Sequence, residues 1–318
     1  MKRKLIIVSL ISIFAGTSLL TGIKPSMAQS GPSADLAEID RPELVPLKAQ
    51  IERLRVENPM IFVRLDELKA SVIRADRNKR GRLAPVSGLF KALGPEALLP
   101  MLSAIATESP IASGMRLSAW TVYRAAMIEA VGDLRDPRAF GVLQAVLKGN
   151  EHNVVVLSAA SEALGKLDDD ASIAALLEIA TRAGSKQDAI IAGLASARRP
   201  DVATFLAQHL LQTTNPDSKI VAMGALSSVA NSWAWQTTRL ANSQQGDRTR
   251  QIAAEALFAI FVSGDARLRA EATRALLLVD HPSTALLIAD ARPSTDRELA
   301  DALDGLNTRL ANNPLNRK

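Results

Sequence analysis

The side chains best suited to chemistry in this chain are three histidines, His152, His209 and His281, and they stand far apart in the sequence. None belongs to a His-Glu-x-x-His run. None has a second histidine at the helical spacing that a helix-borne zinc site requires. There is no cysteine. That excludes a disulfide framework, a thiolate metal site, a cysteine nucleophile and a lipidated cysteine behind a leader. No Gly-x-Ser-x-Gly elbow, P-loop or Gly-x-Gly-x-x-Gly turn is present. The acidic run Asp168-Asp169-Asp170 has a cation-site reading, but its place before a helical phrase favours helix N-capping. The expectation is a chain with no catalytic residue, cofactor or metal, and so not an enzyme.

The elements that would position any site are set by a repeated phrase. Arg124 to Leu134 reads R-A-A-M-I-E-A-V-G-D-L, and Leu157 to Leu167 reads L-S-A-A-S-E-A-L-G-K-L. Weaker copies are centred on Leu194, Leu226 and Leu257. A helical phrase recurring at about 33 residues predicts stacked helix pairs. Prolines mark where helices begin: Gly94-Pro95, Asp136-Pro137, Arg199-Pro200 and His281-Pro282 each precede an apolar helical run. Two further helices are predicted before the repeats. One carries Leu44, Leu47, Ile51 and Leu54, and the other opens at Asn58-Pro59 with Ile61, Leu65, Leu68 and Val72 on its apolar face. They read as an N-terminal cap over 43–92, followed by a repeat array over 93–311 and a tail over 312–318. Residues 74–82 read as a basic loop. Alanine and leucine dominate and aromatics make up only 3% of the chain, in keeping with an all-α fold.

A helix ending in A-L-G-x-L, a short Asp/Pro turn and a second A-x-x-x-L-x-x-x-L helix resembles the HEAT repeat, in the short variety of phycobilisome lyase subunits. The residues that carry the resemblance are Glu162 to Leu167 with Asp168 to Asp170, and Ala130 to Leu134 with Asp136-Pro137. It covers roughly 93–290. It departs from the pattern over Leu226 to Gln245, whose turn lacks the Asp/Pro signature, and over 249–280, where two phrases lie only 19 residues apart (Leu257 to Leu276). The resemblance implies an α-solenoid, a superhelix of stacked antiparallel helix pairs whose curved inner face binds protein. A HEAT-like fold can also carry a di-iron hydroxylase built on His-Glu pairs, and no His-Glu pair occurs in that order here.

In this repeat variety an arginine stands six residues before the alanine of A-L-G. Aligning the copies brings Arg124, Leu157, Gln187, Lys219, Arg250 and Arg269 to that position. The cations form either a ladder that grips an acidic partner or cross-repeat pairs with turn carboxylates such as Asp133. Trp120, Tyr123, Trp233 and Trp235 stand out in so aromatic-poor a chain, since Trp and Tyr serve as binding anchors. Trp233 and Trp235, two apart, face different ways on a helix, so at most one belongs to a core. The candidate partner-binding residues are Trp120, Arg124, Lys219, Trp233, Trp235 and Arg250. The basic loop, with Arg74, Arg77, Lys79, Arg80 and Arg82, offers contact with an anionic surface, set against a simple solvated loop.

The first 28 residues read as a secretory signal. Met1-Lys2-Arg3-Lys4 is basic, Leu5 to Leu20 is apolar, and Ser26-Met27-Ala28 is a small-x-small cleavage site. The apolar run is shorter than a spanning helix needs, and no second run of that length follows, so the mature chain carries no transmembrane segment. A flexible leader is expected over 29–42. Taking Lys2, Arg3, Lys4 and Lys24 from 38 basic residues leaves 34 against 33 acidic ones. That near-neutral balance argues against nucleic acid as a partner. The combined expectation is a cell-envelope scaffold, periplasmic or secreted, that binds a protein partner. The alternatives are a lyase-like accessory subunit and a binder of an anionic envelope polymer or membrane surface.

Overall fold

Polar side chains open several of the helices and left-handed residues close three of them. The computed structural model describes residues 44–108, 114–237, 240–241 and 244–313. These residues form α1 (Val45–Glu57), α2 (Pro59–Asn78), α3 (Ser87–Lys91), α4 (Leu98–Thr107), α5 (Leu117–Leu134), α6 (Phe140–Lys148), α7 (Val154–Leu167) and α8 (Asp170–Arg182). They continue with α9 (Gln187–Gly193), α10 (Pro200–Gln212), α11 (Pro216–Val229), α12 (Gln245–Ser263), α13 (Ala266–Val279), α14 (Ser283–Ala291) and α15 (Arg297–Ala311). No strand occurs among the described residues. The side chains of Asn153, Asp169, Asn215, Asp265 and Asp296 accept first-turn N–H groups of α7, α8, α11, α13 and α15. Arg135, Asp168 and Asp280 end α5, α7 and α13 in the left-handed region, at φ 52°, 64° and 48°.

The helices sort into two layers. In one, α3, α5, α7, α9, α11, α13 and α15 each touch the next; in the other, α4, α6, α8, α10, α12 and α14 do the same. This is the all-α solenoid of antiparallel helix pairs, with one core running from Leu44 to Leu306. From α5 to α9 the first layer packs broadly, while its companion layer touches at few points. At the N-terminal end α1 packs on α4, and α2 packs on α4 and α5.

Glycines of the repeated phrase allow this close stacking. A Cβ on Gly132 would come within 2.7 Å of Ala163 Cα in α7, and one on Gly193 within 2.4 Å of Ser161 Cβ. Two sequence expectations change. The segment 74–82 is not a single loop, because Arg74 and Arg77 lie in the last turns of α2. The phrases at Leu257 and Leu276, 19 residues apart, lie on α12 and α13, so they are the two arms of one hairpin and not two repeats in register.

Candidate functional site

The repeated cation position serves the stack. Arg124 on α5 is 1% exposed, its Nη1 donating to Ile105 O of α4 at 2.7 Å and its Nε to Glu151 at 3.2 Å. Burial disfavours its charge and the Glu151 carboxylate opposes that effect. Gln187 on α9 donates to Ala180 O of α8 at 3.0 Å. Arg269 on α13 donates to Phe261 O of α12 at 3.2 Å and pairs with Glu298, also at 3.2 Å. Each acceptor is the carbonyl two residues before its helix ends. A donor from each of these helices thus satisfies an orphan carbonyl of the helix before it. Leu157 has no side-chain donor, and Lys219 is half-buried at the start of α11.

Arg250 belongs to the other layer. Its Nε donates to Val279 O at 2.9 Å and its Nη2 to Asp280 O, tying down the end of α13. The alignment placed it with Arg124 because the α12 phrase mimics the others in sequence.

The tryptophans divide as their spacing implied. Trp120 is buried against Tyr123, their rings 5.8 Å apart, and Tyr123 packs edge-on to Phe90 at 5.7 Å. Burial, with help from Glu108, pushes the Tyr123 phenol up. Trp235 is buried, with its Nε1–H donating to Val229 O at 2.9 Å and its ring against Gly246. Trp120, Arg124, Trp235 and Arg250 are therefore corrected from partner contacts to parts of the repeat packing. Trp233 is 57% exposed. Asn231 Oδ1 accepts the N–H groups of Trp233 and Ala234 at 3.0 and 3.3 Å, which fixes the backbone that presents the ring. Lys219 lies in the first turn of α11 and Trp233 four residues past its last residue, so ten residues of helix, about 15 Å of rise, stand between Lys219 and the end nearer Trp233, and the two do not form one site.

Trp233 follows α11 on the edge where first-layer helices end, and α10 and α12 begin on that edge. Between α10 and α12 lies a groove of about 520 Å³ with Arg199, Asp201, Phe205, Gln208, Gln245 and Arg248 on its walls. Arg199 is engaged by Asp170 at 2.8 Å and Asp201 at 3.3 Å, while Arg248 is exposed. Within the basic segment Arg77, Arg80 and Arg82 are exposed. Lys79 instead pairs with buried Asp76, whose carboxyl it holds below its usual range, and Ser118 donates to the same carboxylate at 2.8 Å.

The acidic run is divided among separate tasks. Asp168 is the left-handed end of α7, Asp169 caps α8 through Ser172, and Asp170 pairs with Arg199. His209 stacks on Phe205 with centroids 6.4 Å apart, and burial pushes its imidazole down against the opposing pull of Asp188. Among the described residues no group of three or more His, Asp or Glu side chains is placed to hold a metal, and no helix is long and apolar enough to cross a membrane.

None of the curated proteins compared matches the chain. A solved structure, that of human deoxyhypusine hydroxylase in complex with glycerol, matches over 81% of this chain and 99% of its own, at 16% identity and a TM-score of 0.28. The matched protein is an enzyme, against the expectation that this chain is not one. So weak a likeness carries no argument for any particular activity here. The expected leader over 1–28, the segment 29–42 and the last five residues of the tail lie outside the described residues. The family of HEAT repeats matches residues 113–187, and those repeats stand within an all-α solenoid.

Proposed function

We propose that this chain is an exported scaffold that binds a protein partner along the edge formed by Trp233 and the α10–α12 groove. The observation that carries the reading is Trp233, a large amphipathic ring left 57% exposed on a backbone fixed by Asn231. Anchors of this kind lose little freedom on binding, so the contact they make is not offset by ordering. The groove between α10 and α12, which begin on the edge where α11 ends, adds an aromatic wall at Phe205 and an exposed guanidinium at Arg248. Export rests on the basic start, the apolar run and the Ser26-Met27-Ala28 site. Cleavage after Ala28 would release the chain to the periplasm or the medium.

The test is affinity capture from envelope extract with the chain from Gln29 to Lys318, comparing wild type with Trp233→Ala. A hot-spot aromatic predicts a loss of about 30-fold in affinity for the captured partner, with the thermal midpoint unchanged. Equal capture by the two proteins would remove Trp233 from the interface.

A second reading, contact with an anionic polymer or membrane surface, is favoured by the exposed guanidiniums Arg77, Arg80 and Arg82 near the end of α2. It predicts retention on anionic vesicles that falls steeply with salt. An accessory role of the phycobilisome-lyase type rests on the A-L-G phrase alone, and fold does not carry function.

A further inference from the structure

The histidine farthest along the chain does not stand alone in the folded protein. Ser283 opens α14, His281 stands two residues before it, and Asp247 comes from the first turn of α12. His281 Nδ1 accepts the Ser283 N–H at 3.2 Å and lies 2.7 Å from Ser283 Oγ. His281 Nε2 lies 3.1 Å from Asp247 Oδ1. These contacts assign the tautomer. A ring nitrogen that accepts a backbone N–H carries a lone pair, so the ring proton sits on Nε2 and is donated to the Asp247 carboxylate. The Ser283 hydroxyl then faces an unprotonated nitrogen and donates to it.

This is the order of groups by which a serine is activated: hydroxyl, imidazole base, and a carboxylate that orients the base. Here the ring is turned over, with Nδ1 on the serine and Nε2 on the aspartate. His281 is buried, which holds the ring in place, while Ser283 keeps part of its surface open. Helix capping alone does not call for histidine at this position. Asn153 and Asn215 accept the equivalent N–H groups at α7 and α11 through Oδ1, and asparagine cannot take up a proton at neutral pH.

We infer that Ser283 is a nucleophilic serine that accepts acyl groups from carboxylic esters, with His281 as its base and Asp247 as a positioning residue. In that step Ser283 Oγ bonds to the ester carbonyl carbon as His281 Nδ1 takes the hydroxyl proton. The ester C–O bond then breaks, and the alcohol leaves with the proton returned from His281. The product is a serine ester. With a fluorophosphonate the same attack forms an O–P bond, fluoride leaves, and the proton stays on His281.

The test treats the full chain with a biotin-bearing fluorophosphonate and maps the adduct by mass spectrometry. The expected result is one adduct, on Ser283, absent from Ser283→Ala. His281→Asn keeps an acceptor for the Ser283 N–H but lacks the base, so it should label at least about 100-fold more slowly, with its helical signal intact. Should His281→Asn fail to fold, Asp247→Asn serves, since Asp247 is exposed and its loss leaves the core untouched. It should label about 10-fold more slowly, with rate restored by Asp247→Glu, a rescue that a purely structural role would not produce. No adduct on Ser283, adducts only at other serines, or wild-type labelling rates in His281→Asn or Asp247→Asn would overturn the assignment.

Discussion

A guanidinium at 1% exposure is stable only because it is paired, and Arg124 has both a helix-end carbonyl and a carboxylate to hold it. Arg124→Ala removes both bonds and opens a cavity, leaving Ile105 O without its donor and Glu151 without its cation. We expect a loss of about 3 kcal/mol in denaturant unfolding. Arg124→Gln should recover part of that, because Gln187 does the same capping work at α8. A second residue-scale prediction concerns acid. Burial alone would raise the Asp133 carboxyl, but hydrogen bonds from Lys166 and Lys91 outweigh it and hold the group below its ordinary value. A carboxyl depressed in the folded state adds stability above its unfolded pKa of about 3.9, and that stability is lost as pH falls through the folded value. Thermal midpoints recorded from pH 6 down to pH 2 should therefore fall less steeply for Asp133→Asn than for wild type. Equal slopes would mean that the Lys91–Asp133–Lys166 cluster carries no linkage.

At the scale of elements, the phrase that repeats is a packing instruction. Gly132 lets α5 approach α7 so closely that a Cβ there would meet Ala163 Cα at 2.7 Å, whereas a Cβ on Gly224 of α11 meets nothing within 4 Å. The two glycines therefore predict opposite outcomes for one substitution. Gly224→Ala should stabilise by about 0.5–1 kcal/mol through helix propensity alone. Gly132→Ala gains the same propensity but forces two helices apart, at a cost of about 1–3 kcal/mol from overpacking. Paired melting curves decide the matter; a stabilised Gly132→Ala would show that the stack yields there without strain. Helix existence was readable from periodicity and from the prolines that mark helix starts, but the pairing of phrases was not. The α12 phrase copies the α5 and α7 phrases in sequence yet lies in the other layer. A 3.6-residue pattern reports one apolar face and says nothing of which neighbour covers it.

Across the whole array, side-chain bonds join neighbouring units and seldom reach farther. Lys166 to Asp133 spans 33 residues, Ser161 to Ile190 spans 29, Ser196 to Glu162 spans 34 and Arg269 to Glu298 spans 29. Each is close to one repeat period, the signature of a fold stabilised between nearest neighbours. From the sequence alone one reads an all-α solenoid and its period, because these depend on local helix chemistry and on recurrence. Burial was decided only in three dimensions. Trp233 and Trp235 are two residues apart and chemically alike, and the docking of one ring on Gly246 leaves the other in solvent. The convergence of Asp247 on His281 and Ser283 was hidden for the same reason. Thirty-four residues separate the aspartate from the histidine, and what closes that distance is the packing of one unit against the next.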